Sequence, residues 1–147
     1  HHYYIYTMAR ILSVDYGKKR TGLAVTDPLQ LIAGGLTTVA TSELMNFLLD
    51  YIQKEKVELL VVGEPIQPNG QPSENLQRVR QFVAQWRKKC PEIPEEMYDE
   101  RFTSVLAHQA MLQGGLKKQA RQNKALVDEI SATIILQDYL SSRKYKR

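Results

Sequence analysis

Cysteine is almost missing from this sequence: Cys90 stands alone among 147 residues, which excludes an intrachain disulfide and a cysteine-based zinc site. Histidine is equally scarce. Two of the three open the chain and His108 is isolated, so no imidazole cluster is available as a metal site or as a base for a serine nucleophile. The apolar runs are only a few residues long, too short to cross a bilayer, and no basic start leads into an apolar secretory segment. No membrane partner and a cytoplasmic home are therefore expected, and any metal must sit on oxygen or histidine ligands.

What is present is a hydrophobic content of 43%, enough for one packed domain at this length. Residues 8–142 read as that domain, 143–147 as a basic tail, and 1–7 (His1-His2-Tyr3-Tyr4-Ile5-Tyr6-Thr7) as an expression-derived leader outside the fold. Lys and Arg outnumber Asp and Glu by 20 to 16, which makes an anionic partner plausible without identifying it. The cations cluster at Lys18-Lys19-Arg20, at Lys117-Lys118 with Arg121 and Lys124, and in the tail. Such runs are at least as often solvated surface as nucleic-acid contacts. The first cluster differs because it follows Asp15 closely.

Ile11-Leu12-Ser13-Val14 runs to Asp15-Tyr16-Gly17, the pattern of a strand that stops at a turn, and Thr21 to Thr26 supplies a hairpin partner. A third short strand is predicted over Leu36 to Ala40, after Gly34-Gly35. Thr41-Ser42 can cap a helix in which Leu44, Phe47, Leu48, Tyr51 and Ile52 share a face. Val57 to Val62 is a nearly continuous apolar run, expected to be a strand buried on both faces at the sheet's centre. A helix follows from about Glu74 to Lys89, then a short strand at Met97-Tyr98-Asp99. Thr103-Ser104 reads as the cap of a helix that ends at Gly114-Gly115, and a long last helix spans roughly Lys124 to Ser142. The fold class this order implies is α/β, a mixed sheet with helices on its faces.

In such sheets ligands gather beyond the carboxyl ends of parallel strands. Asp15, Glu64 and the pair Asp99-Glu100 sit at strand ends, and Asp128 lies near the start of the last helix. Singly, each has an ordinary role: Asp15 as a turn former, Glu100-Arg101 as a surface ion pair. Asp128 shares its helical face with Ala132, Ile135 and Tyr139, so it points toward packed protein and needs a cation or a donor. Converging carboxylates repel unless a cation lies between them. Phosphodiester hydrolysis needs such a set, holding one or two hard divalent ions roughly 4 Å apart.

Four segments together resemble the YqgF/RuvX family: Ser13 to Asp27, Val61-Val62-Gly63-Glu64-Pro65, Asp99 to Ser104, and Val127-Asp128 with Ala132 and Ile135-Leu136-Gln137. They stand in the family's order and spacing and cover nearly the whole chain from Ala9 to about Tyr139. The resemblance implies an RNase H-like five-stranded mixed sheet flanked by helices. It implies a Holliday junction resolvase, or a nuclease that trims the 5′ end of pre-16S ribosomal RNA. It also implies acidic catalytic and metal positions at Asp15, Glu100 and Asp128, and nucleic-acid contacts at Lys18, Lys19, Arg20 and Arg101. One departure is Glu64, where the family usually has leucine; since RNase H-like enzymes often draw a ligand from that strand end, Glu64 is an added candidate ligand.

The expected reaction is in-line attack by a water that one cation activates, with Asp15 as principal ligand and Mg²⁺, or Mn²⁺ in its place, as the ion. The expected partner is precursor rRNA or branched DNA. A symmetric junction cutter should be a homodimer, because two equivalent cuts need two sites related by a twofold axis. The contrasting function is a nucleic-acid-binding module that uses the same scaffold without cutting, in ribosome assembly or transcription.

Overall fold

A computed structural model describes residues 8–67, 69–100 and 123–145, with side chains as far as residue 143. The expected helix from Thr103-Ser104 to Gly114-Gly115, with His108, Arg101, Lys117, Lys118 and Arg121, lies outside the described residues.

The alternating and apolar stretches form five strands: β1 (Arg10–Asp15), β2 (Arg20–Thr26), β3 (Ala33–Ala40), β4 (Val57–Glu64) and β5 (Glu95–Asp99). They make one sheet in the order β3-β2-β1-β4-β5. The hairpins β1–β2 and β2–β3 are antiparallel, while β1–β4 and β4–β5 are parallel. Beside them run α1 (Leu44–Lys54), α2 (Leu76–Lys89) and α3 (Lys124–Tyr145). The mixed five-stranded α/β sheet is the expected one.

Three details differ from the sequence reading. β1, not β4, is the central strand, and β4 lies between it and β5. Both are buried on both faces, so apolar continuity alone cannot rank them. β3 begins at Ala33 and takes in Gly34 and Gly35, which pair with Val25 and Ala24. Finally, α3 continues to Tyr145, into the stretch that reads as a tail.

Because side chains alternate along a strand, each strand feeds two cores. Leu12 and Val14 of β1 and Leu60 and Val62 of β4 face α1 and α2, where Leu44, Leu48, Val79, Phe82, Val83 and Trp86 close the layer. Ile11 and Val61 face the other way and meet Ala132, Ile135, Leu136 and Leu140 of α3. Each such side chain stabilises the fold by about 1.5–3 kcal/mol relative to exposure. Trp86 adds a hydrogen bond from its indole Nε1 to the Ile93 carbonyl at 2.9 Å, so its polar edge is satisfied within the core. Ser13, on the α3 face of β1, donates to the Ala132 carbonyl at 2.7 Å and ties the last helix to the central strand.

Candidate active site at the carboxyl edge of the sheet

Strand parity decides which acids meet. On β1, Ile11 and Ser13 face α3, so Asp15, two residues further, does too. On β4, Val61 faces α3, and Gly63 follows it. On β5, Tyr98 packs on the α3 side and Met97 on the other, which sends Glu100 toward α3. Asp15, Glu100 and Asp128 of α3 therefore lie on one face of the sheet. Glu64 follows Val62 toward α1 and α2, and Asp99 follows Met97, so these two end on the opposite face. The sheet's geometry brings the expected three acids to one side and leaves the added candidate, Glu64, outside that group.

Asp15 is flanked by two glycines, Gly22 opposite it on β2 and Gly63 one residue past the partner of Val14 on β4. Each makes room for another acid. A Cβ at Gly63 would stand 2.2 Å from Glu100 Oε2 and 2.9 Å from Ile135 Cδ1. A Cβ at Gly22 would stand 2.0 Å from the backbone oxygen of Asp128. Gly63 thus keeps open the volume that the Glu100 carboxylate occupies, and Gly22 lets the start of α3 lie directly on β2. Gly22 belongs to the motif read in the sequence. The role of Gly63 is not legible there, since the close approach it permits comes from Glu100, far along the chain.

Asp15 and Glu100 are both perturbed by their surroundings. Burial, and then the negative charge of Asp128, push the Asp15 carboxyl up to about 7. Burial, followed by Asp15 and then Asp99, pushes Glu100 up to about 8. Two carboxyls shielded from water, one raised by Asp128 and the other by Asp15, form an environment suited to a cation. The donor set is oxygen only, which fits a hard divalent ion. Yet among the described residues no three His, Cys, Asp or Glu side chains are closed to metal-binding distance of one point. Asp128 is instead engaged by Arg20, whose Nε donates to Oδ2 at 2.9 Å.

The basic turn between β1 and β2 is held from two sides. Thr41 Oγ1 donates to the Gly17 carbonyl at 2.7 Å, and the Thr41 amide donates to the Lys19 carbonyl at 2.9 Å. Asn75, at the start of α2, donates through Nδ2 to the Tyr16 carbonyl at 2.6 Å. Thr41 makes no side-chain cap of the short 3-10 turn it begins (Thr41–Glu43); its hydroxyl serves the turn instead. Lys18 and Lys19 are exposed on this braced loop, and Arg20 is half-buried against Asp128. Thr41 and Asn75 are supports that the sequence does not reveal, because the turn they brace is distant from both in the chain.

Comparison with known proteins gives a family and a fold. Residues 9–142 match the family described as RuvX, Holliday junction resolvase. A protein of Phocaeicola vulgatus named "Putative pre-16S rRNA nuclease" is 68% identical over 138 residues, covering 94% of this chain and 99% of its own length. One of the same name from Bacteroides thetaiotaomicron is 60% identical, covering 94% of this chain and 100% of its own. Among solved structures, T. thermophilus RuvC in complex with Holliday junction substrate superposes with a TM-score of 0.55 at 18% identity, covering 92% of this chain and 96% of that one. That likeness is one of fold, and the fold is RNase H-like.

Proposed function

The chain belongs to the RuvX Holliday junction resolvase family, and from that premise we propose a divalent-metal-dependent nuclease with Asp15, Glu100 and Asp128 as ligands. The observation that carries the reading is the convergence of three acids on the α3 face of the sheet: Asp15 at the end of β1, Glu100 just beyond β5 in the space that Gly63 leaves open, and Asp128, whose backbone oxygen lies against Gly22. Mg²⁺, with Mn²⁺ as substitute, would supply the positive charge that activates water and disperses the charge of the reacting phosphate.

The chain's own residues do the rest. Asp15, at the end of β1, and Glu100, just past the end of β5, fix the position of that charge against the sheet edge. Lys18 and Lys19 hold phosphates that flank the scissile one, on a turn already braced by Thr41 and Asn75, so little ordering is needed on binding. Arg101, which follows Glu100 directly, is assigned a further phosphate contact. Glu64 is left outside the ligand set, since strand alternation turns it to the other face.

Precursor 16S rRNA is the substrate this reading favours, because the relatives that share more than half of the residues carry that name, and the site of action is then the cytoplasm. Among the described residues no helix is long and apolar enough to cross a membrane. Junction DNA is the contrasting substrate and calls for a twofold dimer. Side-by-side cleavage of a pre-16S leader RNA and a four-way DNA junction, with Mg²⁺ and with Mn²⁺, tests the proposal. Products from the RNA that depend on metal and vanish in Asp15→Asn support it; metal-independent products, or none from either substrate, refute it.

A further inference from the structure

Arg20 and Asp128 are both fixed at the backbone. Arg20 pairs with Ala40 in the sheet and follows a turn tied down by Thr41. Asp128 has its backbone oxygen pressed against Gly22, where no side chain would fit. The ion pair between them is partly solvated, with side chains 39% and 24% exposed, so rotation of the side chains alone can open it. Among the described residues, Arg20 is the cation that engages Asp128.

Asp128 Oδ2 therefore has two suitors: the guanidinium of Arg20 and a divalent ion seated by Asp15 and Glu100. The guanidinium likewise has two: the Asp128 carboxylate and a phosphate arriving at Lys18 and Lys19, whose oxygens match the guanidinium fork as well as a carboxylate does. We propose that Arg20 is an exchangeable latch on Asp128. A nucleic-acid phosphate at the basic turn draws the guanidinium away and releases Asp128 to complete the cation site, so nucleic acid and metal bind cooperatively. Arg20 is in this account a positioning residue that acts through Asp128. The proposal rests on the reading of Asp15, Glu100 and Asp128 as ligands. Because coupling between two binding events is reciprocal, metal tightens nucleic-acid binding by the same factor.

Titration of the intact protein with Mn²⁺, followed by the electron paramagnetic resonance of the unbound ion, tests this. It is run alone and with a phosphorothioate pre-16S leader RNA, with the ion held by the RNA alone subtracted. Arg20→Gln without RNA should bind Mn²⁺ roughly threefold to tenfold more tightly than the parent protein, the range expected for removing a partly exposed ion-pair competitor. The RNA should tighten the parent by a similar factor and Arg20→Gln far less, and the gain should vanish in Arg20→Gln/Asp128→Asn. If Arg20→Gln leaves affinity unchanged, or if the gain persists with Asp128→Asn and the RNA effect survives, Arg20 acts at most through bulk charge and the latch is overturned. If neither Asp15→Asn nor Asp128→Asn alters Mn²⁺ binding, the ligand assignment itself fails, an outcome distinct from loss of the latch alone.

Discussion

Asp15 sits under two opposed demands. Its place at the end of the central strand puts it at the carboxyl edge of the sheet, where the proposed cation needs an oxygen ligand, and the same place strips it of water and sets it near Asp128. The consequence for stability follows from the direction of the shifts. Unfolded, Asp15 and Glu100 give up their protons near their ordinary values of 3.8 and 4.5; folded, they hold them to about 7 and about 8. Between those limits the folded protein binds more protons than the unfolded chain. Stability without metal therefore falls as pH rises from about 4 to about 8, and the penalty is fully present above that window. Asp15→Asn removes one of the two charges. At pH 8 without metal it should raise stability by at least about 1 kcal/mol, or roughly 2–4 °C in calorimetry for a chain of this size, and lower cleavage by at least about a hundredfold. An Asn variant that is both less stable and fully active would contradict the assignment.

The glycines beside Asp15 give a second test at this scale. Gly63→Ala meets a carboxylate and a methyl, groups at the ends of side chains that can shift, so the fold should survive at a cost of about 1–3 kcal/mol while the displaced Glu100 lowers activity. Gly22→Ala meets the backbone of α3, which cannot step aside, and should be the more damaging of the two in denaturant titrations. Equal effects would mean that side-chain freedom is not what separates them.

Among elements, the basic turn and its braces form the unit to disturb. Thr41→Val removes the hydroxyl that donates to the Gly17 carbonyl and also pairs with the buried Thr21 hydroxyl, and leaves the Lys18 and Lys19 side chains intact. Losing these two hydrogen bonds costs about 1–3 kcal/mol in order at the turn, so KM for nucleic acid should rise several-fold with kcat little changed. Lys18→Ala and Lys19→Ala should instead reduce the salt dependence of duplex binding by about 0.9 in slope for each phosphate the lysines neutralise. A slope that stays constant in the double variant would place the phosphates elsewhere. These braces show why part of the site is hidden in the sequence. The strands, their hairpins and the amphipathic faces of α1 and α2 come from local periodicity, which one chain displays openly. The ties from Thr41 to Gly17 and from Asn75 to Tyr16 join residues 24 and 59 positions apart, and nothing local in a threonine or asparagine announces such a partner. Thr41 in particular reads as a helix cap because that is what its local context offers.

At the scale of the molecule, the sheet's parity does what spacing cannot. Five acids in four segments stand near strand or helix ends, and the family resemblance singles out Asp15, Glu100 and Asp128. The alternation of β1, β4 and β5 supplies the physical reason: Asp15 and Glu100 face α3, which carries Asp128, while Glu64 and Asp99 turn to the other side of the sheet. The last helix is the counterpart. Its inward face is visible in the sequence through Ala132 and Ile135, but the salt link that holds Asp128 to Arg20 is a tertiary fact. The whole-molecule expectation is that Mn²⁺ or Mg²⁺ raises the thermal midpoint at pH 8, since an ion bound only by the folded state stabilises it in proportion to RT ln(1 + [L]/Kd). The increase should be smaller at pH 5, where Asp15 and Glu100 retain their protons. The most direct measurement is anomalous diffraction from crystals soaked in Mn²⁺ near pH 8. The expected result is a peak within about 2.0–2.3 Å of carboxylate oxygens of both Asp15 and Glu100; an ordered ion elsewhere, with these two carboxylates unligated, would contradict the account.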